Sequence, residues 1–345
     1  MKKEMFGKTC KGLDAHKYSI ENNNGMKVVF TDMGAAIVEI WVKDILGQFR
    51  DVALGYDDVQ QYEKEGTYFG AIVGRYANRI AGAQFEIDGV VYKLDANNNE
   101  NNLHSGERSL AREVWKVTKH ENDKITFYCF AENDGFPGTA ECYVTYELSE
   151  DNALKISYEA VPDKKSPFNM TNHVYFNLNG HDAGTILNHE LMIAASGYTP
   201  VIDAKAIPTG EIEEVENTPF DFRVAKTIGR DIEEPFEQLI LGQGYDHNFA
   251  LDKELGKVEK IAEAYSADSG IKMEVYTDCI GVQLYTGNFL ELDLGKGNHR
   301  YERRAGFCLE TQFFPNSINE PKFVRPVTAA GETYKTQTIY KFDIK

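Results

Sequence analysis

Cys142-Tyr143-Val144-Thr145-Tyr146-Glu147-Leu148-Ser149-Glu150-Asp151-Asn152-Ala153-Leu154-Lys155-Ile156-Ser157-Tyr158-Glu159-Ala160 carries one pattern on both sides of a polar break. Cys142, Val144, Tyr146 and Leu148 alternate with polar neighbours. After Ser149-Glu150-Asp151-Asn152, Leu154, Ile156, Tyr158 and Ala160 alternate the same way. Period-two alternation places one face of a strand on a core and the other toward water. Two such runs across a turn predict a long antiparallel hairpin.

Outward from this hairpin the chain keeps reading as strands. Met26 to Phe30 and Ala36 to Val42 are rich in β-branched and aromatic residues. Gln84-Phe85-Glu86-Ile87 and Val90-Val91-Tyr92-Lys93-Leu94 flank Asp88-Gly89, a pair suited to the positive φ values of a type I′ turn. Val114 to Thr118 leads through a polar turn into Ile125 to Phe130. The alternation returns at Met273 to Tyr276, Val282 to Tyr285 and Glu332 to Ile344. Helical signals are confined to short stretches at Asp57 to Lys64 and Asp231 to Leu239. No linker or repeat divides the chain. The expectation is an all-β fold, one large antiparallel β-sandwich forming a single domain over residues 1–345.

Composition narrows the function. The net charge is −17, which disfavours nucleic acid and anionic membrane surfaces as partners. The five cysteines are scattered without CxxC or CxxH spacing, as expected of reduced thiols in a cytoplasmic protein. The basic start, Met1 to Lys8, is not followed by a signal-peptide apolar stretch. No window is apolar for long enough to form a membrane helix. GxGxxG, GxxxxGK[ST] and GxSxG are all absent, so nucleotide cofactors and a hydrolase nucleophile elbow lack support.

Several polar groups interrupt apolar strands. Glu310 lies inside Phe307-Cys308-Leu309-Glu310-Thr311-Gln312-Phe313-Phe314-Pro315. Burying a carboxylate without partners is costly. Glu310 therefore reads either as a solvent-facing or arginine-paired strand residue, or as a catalytic base. Among eight histidines, His16, His120, His181, His189 and His299 occupy polar, turn-like contexts and read as solvated. His104, His173 and His247 stand in unusual surroundings and read as core histidines or as functional groups. His104, His173 and Glu310 have the composition of a two-histidine, one-carboxylate metal site, yet no HxH or HxxxH spacing supports one. Gly74-Arg75-Tyr76-Ala77-Asn78-Arg79-Ile80 places two arginines where a strand would otherwise continue. The stretch reads either as an exposed edge with Arg75 paired to an acid, or as one where an arginine offers its planar fork of N–H groups to a ligand oxygen.

Taken in order, Gly74 to Ile80, Asn102-Leu103-His104, Gly135-Phe136-Pro137-Gly138, Asn169 to Leu178, Gly244 to Asn248, Tyr285-Thr286-Gly287-Asn288 and Leu309-Glu310-Thr311-Gln312 resemble the aldose 1-epimerase (galactose mutarotase) family. The resemblance runs over nearly the whole chain. It implies a large β-sandwich that interconverts the α and β anomers of free aldoses such as galactose and glucose, with no cofactor and no metal. It implies His173 as general acid and Glu310 as general base. Asn78, Arg79, His104, Asp246 and Gln283 are implied as sugar-binding groups, Arg79 being preferred over Arg75 by the motif. The partner is then a small monosaccharide, and the assembly a monomer or homodimer.

The implied chemistry suits the residue types. Ring opening removes a proton from the C1 hydroxyl and delivers one to the ring oxygen. An ionised Glu and a protonated His supply that pair near neutral pH, since their unperturbed pKa values are about 4.3 and 6.5. Ser105 stands where the family often has glycine, and Phe313 and Asn316 where it often has His and Asp. The last two bear on sugar preference or the pocket rim. Two other functions are compatible with the same fold: mutarotation of hexose 6-phosphates, and sugar binding without turnover.

Overall fold

The structure is a computed structural model that describes residues 2–64, 66–291 and 294–345. Met1, at the basic start, lies outside these residues. The hairpin expected over residues 142–160 forms. Ala140–Leu148 pairs antiparallel with Ala153–Pro162, with Leu148 opposite Leu154. Its apolar face is buried and its polar face half-exposed along the full length.

This hairpin lies within a nine-stranded sheet. The strand order is Lys116–His120, Lys124–Ala131, Ala140–Leu148, Ala153–Pro162, Tyr334–Ile344, Ile271–Thr277, Glu259–Tyr265, Glu190–Ile193 and Lys226–Thr227. Every pairing in it is antiparallel. A five-stranded sheet formed by residues 2–51 packs on one end of its inner face. Phe30 meets Phe127 and Tyr146 there, with ring centroids 6.3 and 4.5 Å apart. A second five-stranded sheet packs on the other end, in the order Glu213–Glu214, Gly197–Tyr198, Asp246–Ala250, Gly281–Tyr285 and Cys308–Gln312. Tyr340 joins the layers by donating to the Leu309 carbonyl at 3.1 Å. One apolar core unites all three sheets, running from Tyr18 to Phe342. The architecture is an all-β sandwich.

Local expectations mostly hold. Gln84–Ile87 pairs with Val90–Lys93, and Asp88 and Gly89 take φ values of 52° and 79°, as a type I′ turn requires. The first short helix forms at Val59–Lys64. The second is displaced: it is Glu237–Gly242, not Asp231 to Leu239. Pro235 explains the shift, because its ring disfavours helical backbone at the preceding residue. Asp231 is instead held by Lys226 and Arg230 at 2.6 and 2.9 Å.

Candidate active site

The second five-stranded sheet builds the floor of the site by register. Asp246 stands opposite Tyr285, and Tyr285 opposite Cys308. Asn248 stands opposite Gln283, and Gln283 opposite Glu310. Ala250 stands opposite Gly281, and Gly281 opposite Gln312. Alternation puts these residues on one face. The other face carries Phe249, Val282, Leu284 and Leu309 into the core. Glu310 is therefore polar for a local reason: its side chain points away from the apolar side of its own strand.

Loops bring the remaining groups. His173 follows the short strand Thr171–Asn172, with its N–H bonded to Ala71 O and its carbonyl to Gly70 N. His104 follows Asn102–Leu103 in left-handed backbone, φ 54°. Its N–H donates to Asn78 O at 3.2 Å, while the Asn78 N–H donates to His104 Nδ1 at 3.1 Å. Ser105, in place of the expected glycine, also has positive φ, 69°. Its hydroxyl accepts from Tyr76 N at 2.8 Å and donates to Tyr76 O at 3.1 Å. These bonds hold the His104 loop in a conformation that a side chain otherwise disfavours.

Six of the seven expected residues, Asn78, Arg79, His104, His173, Asp246 and Glu310, line one cavity of about 310 Å³. His173 Nε2 lies 3.6 Å from Glu310 Oε1, and both side chains are buried. Glu310 Oε2 is buried with no hydrogen-bond partner. Arg79 lies 3.7 Å from Asp246 Oδ2 on the wall. Gln283 is the exception: it is not on the cavity wall, and it donates from Nε2 to Asp246 Oδ1 at 2.7 Å. It orients a wall carboxylate from beneath.

Arg75 and Arg79 are now distinguished. Arg75 is wholly buried away from the cavity, where its guanidinium donates to the carbonyls of Ala131, Glu132, Pro137 and Gly138. His247 is also structural: Nδ1 accepts from Asp246 N, and Nε2 meets Gln238 Oε1 at 3.2 Å. His189, expected to be solvated, is fully buried, with Nε2 accepting from Leu178 N at 2.9 Å. Its short flanking strand docks on the nine-stranded sheet, a long-range event that a polar local context conceals. Phe313 and Asn316 do not line the cavity. Asn316 instead accepts from Ala81 N and supports the Arg79 segment.

Burial inverts the expected charge pattern. It lowers the His173 imidazole to about 4, offset in small part by the negative charge of Asp246. It raises the Glu310 carboxyl well above its ordinary value, with Asp246 adding to the rise and Arg79 opposing it. Burial therefore pushes both groups toward their neutral forms, against the expectation of an ionised Glu310 beside a protonated His173. His104 is also held neutral by burial and by nearby His173 and Arg79.

Around His173 stands a cage that no motif in the sequence marks. Tyr175 and Tyr68 stack on its ring at 5.0 and 6.0 Å, and Tyr285 approaches edge-on at 6.4 Å. Cys308 Sγ lies 3.5 Å from His173 Nδ1. Period two could have found two of these: Tyr175 follows His173 by two residues, and Cys308 precedes Glu310 by two. The ligand atoms of His104, His173 and Glu310 also cluster within 4.8 Å. Because His104 Nδ1 accepts a backbone N–H, the neutral ring keeps its proton on Nε2. That nitrogen is a donor to a hydroxyl oxygen and is ill suited to a metal ion.

A buried carboxyl and a buried imidazole thus face each other in one cavity of a β-sandwich. The chain belongs to the aldose 1-epimerase family, whose model matches residues 16–341. It is 38% identical to galactose mutarotase of Sus scrofa over 346 residues, covering 99% of this chain and 98% of the relative. It is 36% identical to aldose 1-epimerase of Escherichia coli K12 over 329 residues, 94% of each chain. Among solved structures, an aldose epimerase homologue from C. elegans superposes with a TM-score of 0.88 at 28% identity, covering 96% of this chain and 99% of the other. A galactose 1-epimerase from Lactobacillus acidophilus superposes at 0.85 and 26% identity, covering 99% of both.

Proposed function

We infer that the protein is a mutarotase that interconverts the α and β anomers of free aldohexoses such as galactose and glucose. The observation that carries the assignment of roles is the buried pair itself: His173 Nε2 at 3.6 Å from Glu310 Oε1, with Glu310 Oε2 left as an acceptor without a partner. The C1 hydroxyl donates to Oε2. A hydrogen bond to the carboxylate favours its charged form, so sugar binding shifts the shared proton toward His173.

Glu310 then removes the C1 hydroxyl proton as the C1–O1 bond becomes a carbonyl. The bond from C1 to the ring oxygen breaks, and that oxygen takes the proton from His173. Rotation about C1–C2 presents the other carbonyl face. The ring hydroxyl returns its proton to His173 and attacks C1, and O1 recovers the proton from Glu310. Acid and base are restored with no cofactor. Asn78, Arg79, His104 and Asp246 hold the hydroxyls during the open-chain stage, and Gln283 aims Asp246.

The cationic side chain of the described cavity wall is Arg79, already near Asp246. That arrangement favours an uncharged sugar over a hexose 6-phosphate. Retention of both His173 and Glu310 favours turnover over binding alone. The core that runs from Tyr18 to Phe342 supports residues 1–345 as one catalytic domain. No helix of the described residues is long and apolar enough to cross a membrane, and the five cysteines are free thiols. Both accord with the cytoplasmic setting that we assign.

Polarimetry of freshly dissolved α-galactose and α-glucose tests the reading. The wild type accelerates anomer exchange, and Glu310→Gln and His173→Asn each lose about 10²–10⁴-fold, the range typical of general acid–base groups. Near-normal rates in either folded variant overturn the roles. A strong preference for glucose 6-phosphate overturns the substrate.

A further inference from the structure

From Asn78 on the cavity wall, a line of three side-chain amides runs through Gln312 and Gln283, which do not line the cavity, to the Asp246 carboxylate. Asn78 Nδ2 donates to Gln312 Oε1 at 3.4 Å. Gln312 Nε2 donates to Gln283 Oε1 at 3.3 Å and, on a branch, to Asn248 Oδ1 at 3.1 Å. Gln283 Nε2 donates to Asp246 Oδ1 at 2.7 Å. All the donors point the same way.

The carboxylate end dictates that direction. Ionised Asp246 only accepts, so Gln283 turns its NH₂ toward it and its carbonyl toward Gln312. Gln312 must then turn its own NH₂ toward Gln283, which leaves its oxygen to accept from Asn78. The far end agrees, because Asn78 Oδ1 accepts from Arg79 N at 2.8 Å and so leaves Nδ2 as the donor. Gly281 makes room for the branch: a Cβ there would lie 2.5 Å from Asn248 Oδ1.

Gln312 is fully buried and does not line the cavity. It lies two residues beyond Glu310, on the same face of the same strand. A buried amide of this kind costs free energy unless every partner is in place. We propose that Gln312 is a positioning residue for sugar recognition: anchored by Asn78, it fixes the orientation of the Gln283 amide, which in turn aims Asp246 into the cavity. This rests on the mutarotase reading above. Without Gln312, the Gln283 carbonyl loses the donor that anchors it, the side chain is free to swing, and Asp246 loses its fixed direction.

The test is a double-mutant cycle read as KM for galactose, with kcat measured alongside. Gln312→Met keeps the side-chain length and removes both donor and acceptor. Loss of one oriented polar contact predicts a KM rise of about tenfold, with kcat much less affected. In an Asp246→Ala background the same change adds little, because its target is gone. Multiplicative effects of the two substitutions overturn the proposal, since a space-filling role acts independently of Asp246. Gln283→Met cuts the link between Gln312 and Asp246 and guards against a misfolded Gln312→Met. It must raise KM to a similar extent, and an unchanged KM also overturns the proposal. Wild-type polarimetry separates the two levels: no acceleration fails the enzyme reading, while additivity in active proteins fails only the role of Gln312.

Discussion

The Asn78 N–H donates to His104 Nδ1 across 3.1 Å, and the His104 N–H donates back to the Asn78 carbonyl. Two residues in left-handed backbone, φ 63° and 54°, hold each other at the cavity wall. The bond also fixes which nitrogen of His104 carries the proton.

His104→Ala removes a cavity donor and strands the buried Asn78 N–H. Leaving such a donor unpaired costs about 1–3 kcal/mol, so the variant unfolds at lower urea concentration as well as binding sugar more weakly. Urea titration and the KM for galactose check both effects. A variant with altered KM and unchanged stability contradicts the reciprocal bond.

Arg75 and Arg79 should fail in opposite ways. Arg75→Met leaves four backbone carbonyls without their cation and lowers the melting temperature, while the folded fraction keeps its KM. Arg79→Met raises KM with little change in melting. Thermal unfolding and polarimetry on both variants decide the matter, and the reverse pattern would place Arg75 at the sugar.

The catalytic pair predicts a rate profile displaced from that of free side chains. His173, lowered to about 4 by burial, takes a second proton only near that pH. Glu310, raised by burial, loses the last proton only above the ordinary carboxylate range. The one-proton form fills the interval between, and the two limbs belong to the pair jointly. kcat/KM, which reports the free enzyme, is therefore level through weakly acidic pH and falls toward pH 4. An acid limb centred near 6.5 would contradict this inversion.

His189 makes a separate prediction about stability. Burial lowers it to about 4, against an unfolded value near 6.5. Between those values the unfolded chain binds more protons, so stability falls as pH drops from 6.5 toward 4, by about 3 kcal/mol for this group. In His189→Gln the deficit relative to wild type is largest at pH 7 and narrows at pH 4.5. Urea unfolding at both pH values measures it, and a pH-independent deficit would show that His189 does not titrate this way.

Much of the fold was legible because strand alternation and turn chemistry are local. The 142–160 hairpin and the Asp88-Gly89 turn follow from period two and from residues tolerant of positive φ. The helix that the pattern suggests over 231–239 forms instead at Glu237–Gly242, because Pro235 constrains its predecessor. His189 reads as solvated from its sequence yet is buried, because the polarity of neighbours in sequence does not report what packs over them in space.

The chain alone determined the all-β class, the pattern that marks the family, and the seven polar residues of the candidate site. Their spacing in sequence, from Asn78 to Glu310, carries no information about mutual distance. Tertiary structure decided that six of them meet in one cavity, that Arg79 faces it while Arg75 does not, and that Gln283 acts from below. It also pushes the His173 imidazole down and the Glu310 carboxyl up from their ordinary values, because burial is a property of everything packed around a group. The line from Asn78 through Gln312 to Asp246 exists only once three strands and a loop have paired in register.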